Sequence, residues 1–176
     1  MAGPVFLRGE SVTLRPKEES DASFVASLLD HPDVRPNIGR SEPTTAAGAR
    51  EWIDGLDEDT HSFVIYVDDE PVGDCTLEVE HPGWDYAEVG YAVHPDHWGN
   101  GYATDAVDCL ARFAFTELGL HKLGADVYET NPPSRRVLEK VGFREEGRRR
   151  SHAFVQGEYV DLVEFGLLAD KWNGRQ

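Results

Sequence analysis

The chain has 176 residues, 40% of them hydrophobic, enough for one domain with a substantial core. Its 33 acids against 17 bases give a formal net charge of −16, a surface that repels nucleic acid and anionic membranes and so argues against both as partners. No stretch approaches the roughly eighteen consecutive apolar residues of a membrane span, and Met1 to Arg8 lack the basic start and apolar run of a secretory signal, so a soluble cytoplasmic protein is expected.

In chain order, Ser11-Val12-Thr13-Leu14-Arg15-Pro16 alternates and stops at a proline that cannot donate to a ladder, which reads as a first strand. From Glu18 to Leu29, Ala22, Val25, Ala26 and Leu29 recur at helical spacing, with Ser20 or Asp21 able to cap the start, and His31-Pro32-Asp33 ends the helix. Prolines and Gly39 make 33–43 a loop before a second helix over Thr44 to Leu56. Ser62 to Val67 is a strand, and Val72 to Glu80 is another, with Gly73, Cys75, Leu77 and Val79 on a core face and Asp74, Thr76, Glu78 and Glu80 on a wet one. After a turn at His81 to Asp85, Tyr86 to Val93 completes an antiparallel meander. Cys75 and Cys109 share the apolar phase of their neighbours and read as buried free thiols.

His94-Pro95-Asp96 ends that strand, and Ala103, Ala106, Val107, Leu110, Phe113 and Ala114 then recur at helical spacing up to a stop near Gly119. Between them stands Trp98-Gly99-Asn100-Gly101-Tyr102-Ala103, whose small residues let the backbone bend sharply and approach a ligand. Unpaired amides at a helix start attract anions, and a pyrophosphate suits the site best; a plain strand-to-helix turn needing positive φ is the competing reading. Lys122 to Tyr128 is a strand, Asn131 to Val141 a short helix with Pro133 in its first turn and Gly142 after its end, and Arg144 to Arg150 with Glu158 to Leu168 a closing antiparallel pair. One α+β (mixed α/β) domain over 1–176 accounts for the chain.

Two blocks carry a resemblance. Trp98, Gly101 and Ala103 fall where the GNAT acetyltransferase superfamily has its Arg/Gln-x-x-Gly-x-Gly/Ala cofactor loop, with Trp98 departing from Arg/Gln, and Trp-Gly-x-Gly-Tyr-Ala-Thr resembles the RimJ/RimL-like branch. The second block, Asn131 to Phe143, is similar to that branch's Asn-x-x-Ser-x-x-Val-Leu-Glu-Lys-x-Gly-Phe. The resemblance implies a GNAT fold: a mostly antiparallel central sheet flanked by helices, whose fourth and fifth strands splay to form a cofactor cleft.

It also implies acetyl-CoA as donor, coenzyme A as product, and direct attack by an amine acceptor. Main-chain groups of Ala92, Val93 and His94 would bond the pantetheine arm, and the backbone of Trp98, Gly99, Asn100, Gly101, Tyr102, Ala103 and Thr104 would hold the pyrophosphate. Asn131 would bond the pantetheine or cap its helix, two compatible roles. Glu88 is the candidate base, and equally reads as a solvated acid. Leu138 stands where many relatives carry a Tyr acid, which leaves Ser134 to bond the sulfur or simply to cap its helix. Arg135 and Arg136 reach either phosphates or solvent. His94 and His97 lack further ligands in view, so no metal is expected. The region between the first two helices would face the acceptor, which the resemblance leaves open between a protein N-terminus, a polyamine and another small amine. A non-catalytic acyl-CoA-binding module and self-association as a homodimer are further open readings.

An acid-rich, Lys-poor chain suits a high-salt cytoplasm, where screening relieves self-repulsion. The thermal unfolding midpoint is therefore expected to rise with added salt; full stability in low-salt buffer would count against a halophilic source.

Overall fold

In a computed structural model describing residues 3–174, every predicted strand and helix forms, with altered limits. The strands are β1 (Leu7–Arg8), β2 (Thr13–Pro16), β3 (Thr60–Val67), β4 (Glu70–His81), β5 (Tyr86–Val93), β6 (Lys122–Tyr128), β7 (Arg144–Val155) and β8 (Glu158–Leu168). The helices are α1 (Ala22–Asp30), α2 (Ala46–Asp54), α3 (Tyr102–Arg112) and α4 (Pro132–Val141). The two-residue β1 is too short to show alternation, and adding it turns the expected fourth and fifth strands into β5 and β6. The strand predicted over Arg144 to Arg150 runs on to Val155, its register against β8 shifting between Arg149 and Ala153, where Ser151 takes a positive φ. The long helix loosens into a wider turn at Phe113–Glu117, where the Leu118 amide reaches the Phe113 carbonyl, five residues back.

One eight-stranded sheet has the order β1-β2-β3-β4-β5-β6-β8-β7. All neighbours run antiparallel except β5 and β6, which run parallel and stay in register for only three pairs, Tyr86 with Lys122, Ala87 with Leu123 and Glu88 with Gly124. Beyond Glu88, β5 remains paired with β4 as far as Val93, while β6 remains paired with β8 as far as Tyr128. The two halves therefore part, which is the splay that the resemblance implies.

Odd-numbered β5 residues, with Cys75 and Leu77 of β4, pack against the buried face of α3 and form the main core. The opposite face is covered at one end by α1 and α2, which pack on each other through Ala22, Ala26, Ala49 and Ile53, while Leu28 of α1 and Val34 of the connection after it pack on Ala92. That cover explains one departure from expectation. Asp74, predicted on the wet face, is buried and accepts a 2.7 Å hydrogen bond from the buried Lys17 ammonium, which lies over the Trp52 ring. Cys75 and Cys109 are buried free thiols.

Two further buried acids fix α3. Asp105, in its first turn, accepts the main-chain N–H groups of Glu10 (3.0 Å), Ser11 (2.7 Å) and Val12 (2.9 Å), tying the β1–β2 turn to the helix start. Asp108 accepts the Trp172 indole N–H at 3.0 Å. Among the described residues, no helix is long and apolar enough to cross a membrane.

Removing the Asp105 carboxylate strands the buried Val12 amide, while the amides of the exposed Glu10 and Ser11 can turn to water, and a buried unsatisfied group costs about 1–3 kcal/mol. Asp105→Ala is therefore expected to destabilise the fold by about 1–3 kcal/mol in denaturant unfolding, with Asp105→Asn intermediate.

Candidate active site

The parting of β5 and β6 opens a cleft of about 810 Å³, within the size range of small-molecule sites. Its floor is the free edge of β5. Since the His94 amide donates to the Val72 carbonyl at 2.8 Å, antiparallel alternation points the main-chain groups of even-numbered β5 residues, Ala92 among them, at β4. Tyr91 and Val93 point theirs into the opening. Of the three main-chain positions expected to face a ligand, only Val93 does so, and its carbonyl already accepts the Trp98 indole N–H at 2.7 Å. Tyr91, in the same phase as Val93, also lines the opening.

One wall is the loop into α3. Gly99 and Gly101 adopt φ of +80° and +78°, strained for any side chain, and no atom lies within 4 Å of where a Cβ would stand on either. The loop thus bends away from the core and faces open space. Gly101 caps α3 without a side-chain bond, and the first internal helix bond runs from Asp105 to the Gly101 carbonyl at 3.0 Å. The amides of Tyr102, Ala103 and Thr104 are left without helix partners, with the positive end of the helix dipole behind them.

The facing wall is α4. Asn131 caps it, its Oδ1 accepting the Ser134 amide at 3.4 Å, so the capping reading holds and the residue also lines the cleft. Arg136 and Lys140, one turn apart, line the cleft and form no ion pair among the described residues, whereas Arg135 turns away to Glu145 at 3.4 Å. Two unpaired cations on a chain of charge −16 mark a place where an anion would be at home. Ser134 lines the same wall with Oγ 2.6 Å from the Tyr91 phenol oxygen.

Ala92, Val93, Trp98, Gly99, Gly101, Tyr102, Ala103, Thr104, Asn131 and Ser134 all line the cleft, as expected. Three expected site residues stand off it. His94 caps the next turn, its Nδ1 accepting the Asp96 amide at 3.3 Å, because its main chain is consumed by β4. Asn100 spends its side-chain amide on the His97 carbonyl at 2.9 Å and so braces the loop from outside. Glu88 sits at the last paired position of the seam, one step before the cleft begins.

Glu88 is nonetheless in an unusual setting. Tyr86 folds over Gly124, its phenol filling the space a Cβ would need, and donates to Glu88 Oε1 at 3.1 Å. Burial, then the neighbouring Asp126 carboxylate, raise the Glu88 pKa above the ordinary carboxylate value, against the lowering effect of the Tyr86 hydrogen bond. Asp126 is likewise raised, by burial and then by Glu164. Sequence reasoning missed Asp126; its one signal was its place in the Gly124, Asp126, Tyr128 phase of β6. It lines both the main cleft and a second cavity of about 350 Å³ bounded by Asn37, Ile38, Tyr128 and His152. The α1–α2 loop thus faces a cavity floored by an acid.

Comparison with known proteins agrees with this geometry. Residues 11–144 match the model of the family described as acetyltransferase (GNAT) domain. The probable N-acetyltransferase YjcK of Bacillus subtilis is 32% identical over 174 residues, 92% of this chain and 96% of that protein. Among solved structures, Mycobacterium smegmatis RimJ in complex with CoA-disulfide superposes with a TM-score of 0.82 at 30% identity, covering 96% of this chain and 87% of that one. Spermidine N-acetyltransferase from Vibrio cholerae, in complex with CoA and spermine, gives a TM-score of 0.86 at 25% identity over 92% and 97%.

The raised carboxyls have a stability consequence. An acid whose pKa is higher folded than unfolded costs stability above the folded value, and the cost vanishes below the unfolded one, about 4. Glu88→Gln and Asp126→Asn are each expected to raise the melting temperature at neutral pH, with the gain disappearing as the pH is lowered toward about 4.

Proposed function

The chain belongs to the GNAT acetyltransferase family, and from that premise we propose that it acetylates a cationic primary amine brought in past Asp126, a peptide N-terminus being the first candidate. It is an acetyl-CoA-dependent N-acetyltransferase. The feature that carries the proposal is the juxtaposition, in one cleft, of a free helix start with two unpaired cations and a carboxylate-lined side.

The residues present suit this donor. The amides of Tyr102, Ala103 and Thr104, with Arg136 and Lys140, would take its diphosphate. The main chain of Tyr91 and Val93, together with Asn131, would take the pantetheine arm. Bound acetyl-CoA supplies a thioester carbonyl for attack. On the acceptor side an ammonium must lose a proton before its nitrogen can react, and carboxylates with raised pKa are better bases than ordinary ones near neutral pH. Asp126 would receive the ammonium, and Glu88, set back at the seam, would take its proton through water. Ser134 would bond the leaving sulfur. Holding the two reactants in register supplies much of the remaining rate. We place this activity in the cytoplasm, where buried free Cys75 and Cys109 would stay reduced.

A polyamine is the second reading, favoured by the further acids Glu80 and Glu164, whose charges reach Asp126 and could meet the spaced ammonium groups of one molecule. The RimJ and spermidine acetyltransferase likenesses support one reading each.

Thiol release from acetyl-CoA, followed against N-terminal peptides and a set of polyamines, separates the two readings. Asp126→Asn and Glu88→Gln are each expected to lower kcat/KM for the preferred acceptor about 100-fold and to remove an acidic limb from the pH profile. Well-folded protein that takes up no coenzyme A in calorimetry would refute the site, and unchanged kcat/KM in both variants would refute the base.

A further inference from the structure

Two hydroxyl groups meet in the donor half of the cleft in an arrangement that packing alone does not require. The Tyr91 phenol oxygen lies 2.6 Å from Ser134 Oγ and 3.1 Å from the Ser134 carbonyl oxygen, and both residues line the cleft. Tyr91 is brought there from β5 and Ser134 from the first turn of α4. Each hydroxyl carries one hydrogen. When the phenol donates to the carbonyl, the serine hydroxyl donates back to the phenol, and both hydrogens are spent inside the pair. When the phenol donates to Oγ, the serine hydrogen is released toward the cleft. Negative charge beside Oγ selects the second arrangement, trading a neutral hydrogen bond for a stronger charge-assisted one.

We infer that Tyr91 is a positioning residue for acyl transfer: by donating to Ser134 Oγ, it turns the serine hydrogen toward the sulfur that leaves the acetyl group. The inference rests on reading this cleft as the acetyl-CoA site. As the acceptor nitrogen forms its bond to the carbonyl carbon, the carbon–sulfur bond breaks and its electron pair stays on sulfur. The Ser134 hydroxyl bonds that sulfur without ionising, and the proton sulfur finally takes is the one the nitrogen sheds. Tyr91 keeps its own proton, since burial pushes the phenol up to about 12 and so keeps it a donor at neutral pH. Leu138, one turn further along α4, is fully buried and has nothing to donate.

The test compares calorimetric binding of coenzyme A with that of desulfo-coenzyme A, which lacks the sulfur, to the full chain at a pH of about 9, where part of the thiol is ionised. Wild type is expected to favour coenzyme A by about tenfold. Tyr91→Phe and Ser134→Ala should each abolish that preference while leaving desulfo-coenzyme A binding unchanged. In turnover, both should lower kcat about tenfold at constant KM for acetyl-CoA, and the double variant should be no worse than Ser134→Ala alone. Should Tyr91→Phe fail to fold, 3-fluorotyrosine at position 91, a stronger donor of nearly the same shape, should increase the preference. Retention of the full preference in Tyr91→Phe, or no response to the fluorinated residue, overturns the inference. Failure of wild type to bind either compound instead overturns the reading of the cleft.

Discussion

The molecule is organised by a seam of three parallel pairs. Antiparallel neighbours satisfy β5 along its whole length from one side, and β6 likewise from the other, but the two share a register only from Tyr86 to Glu88. Past that point each strand follows its stronger partner. A main-chain edge within a sheet is costly to leave unmet, so the opening is a standing demand for hydrogen-bond partners from water or from a ligand. The glycine-bent loop before α3 and the capped start of α4 stand on either side of this gap, and the cleft results from placing two helix beginnings beside one unpaired strand.

Charge is distributed with the same economy. The chain is strongly acidic, yet several of its acids are interior fittings: Asp74 holds Lys17, Asp105 holds three amides, and Asp108 holds an indole. Their cost of burial is offset by full satisfaction. Glu88 and Asp126 are in the opposite condition, crowded by other acids and partly desolvated, so the fold works against their ionisation. Groups that a fold holds against their preference are candidates for chemistry; Asp126 lines the cleft and the cavity that the α1–α2 loop faces, and Glu88 stands at the end of the seam.

How much of this was legible in the sequence follows from which interactions are local. The existence of β3, β4 and β5, the helical spacing of α1 and α3, the cap at Asn131 and the turn glycines at 99 and 101 are properties of a few adjacent residues, and they read correctly. The parting of β5 from β6 was available only through family resemblance, because it depends on pairing between segments far apart in the chain. The same applies to Asp74, whose wet-face phase is overruled by a lysine from β2's end and a cover of two helices, and to Asp126, one acid among 33 until β8 and the α1–α2 connection stand beside it. His94 and Asn100 stand off the cleft for a finer reason. Sequence placed them in the correct loop but not the direction of their main-chain and side-chain bonds.

The fastening of α3 has a consequence for how the molecule adapts. A carboxylate in its first turn grips the segment just before β2, and another, one turn on, grips the indole that follows β8, so the helix is clamped by strands of chain from both extremities of the fold. A helix held this way cannot swing as a lid. The connection between α1 and α2 lies outside both clamps, so changes in its length or sequence leave the seat of α3 as it is. The architecture thus separates a fastened socket from the connection that borders the second cavity, and that cavity's shape can be rewritten in one connection while the socket keeps its anchors.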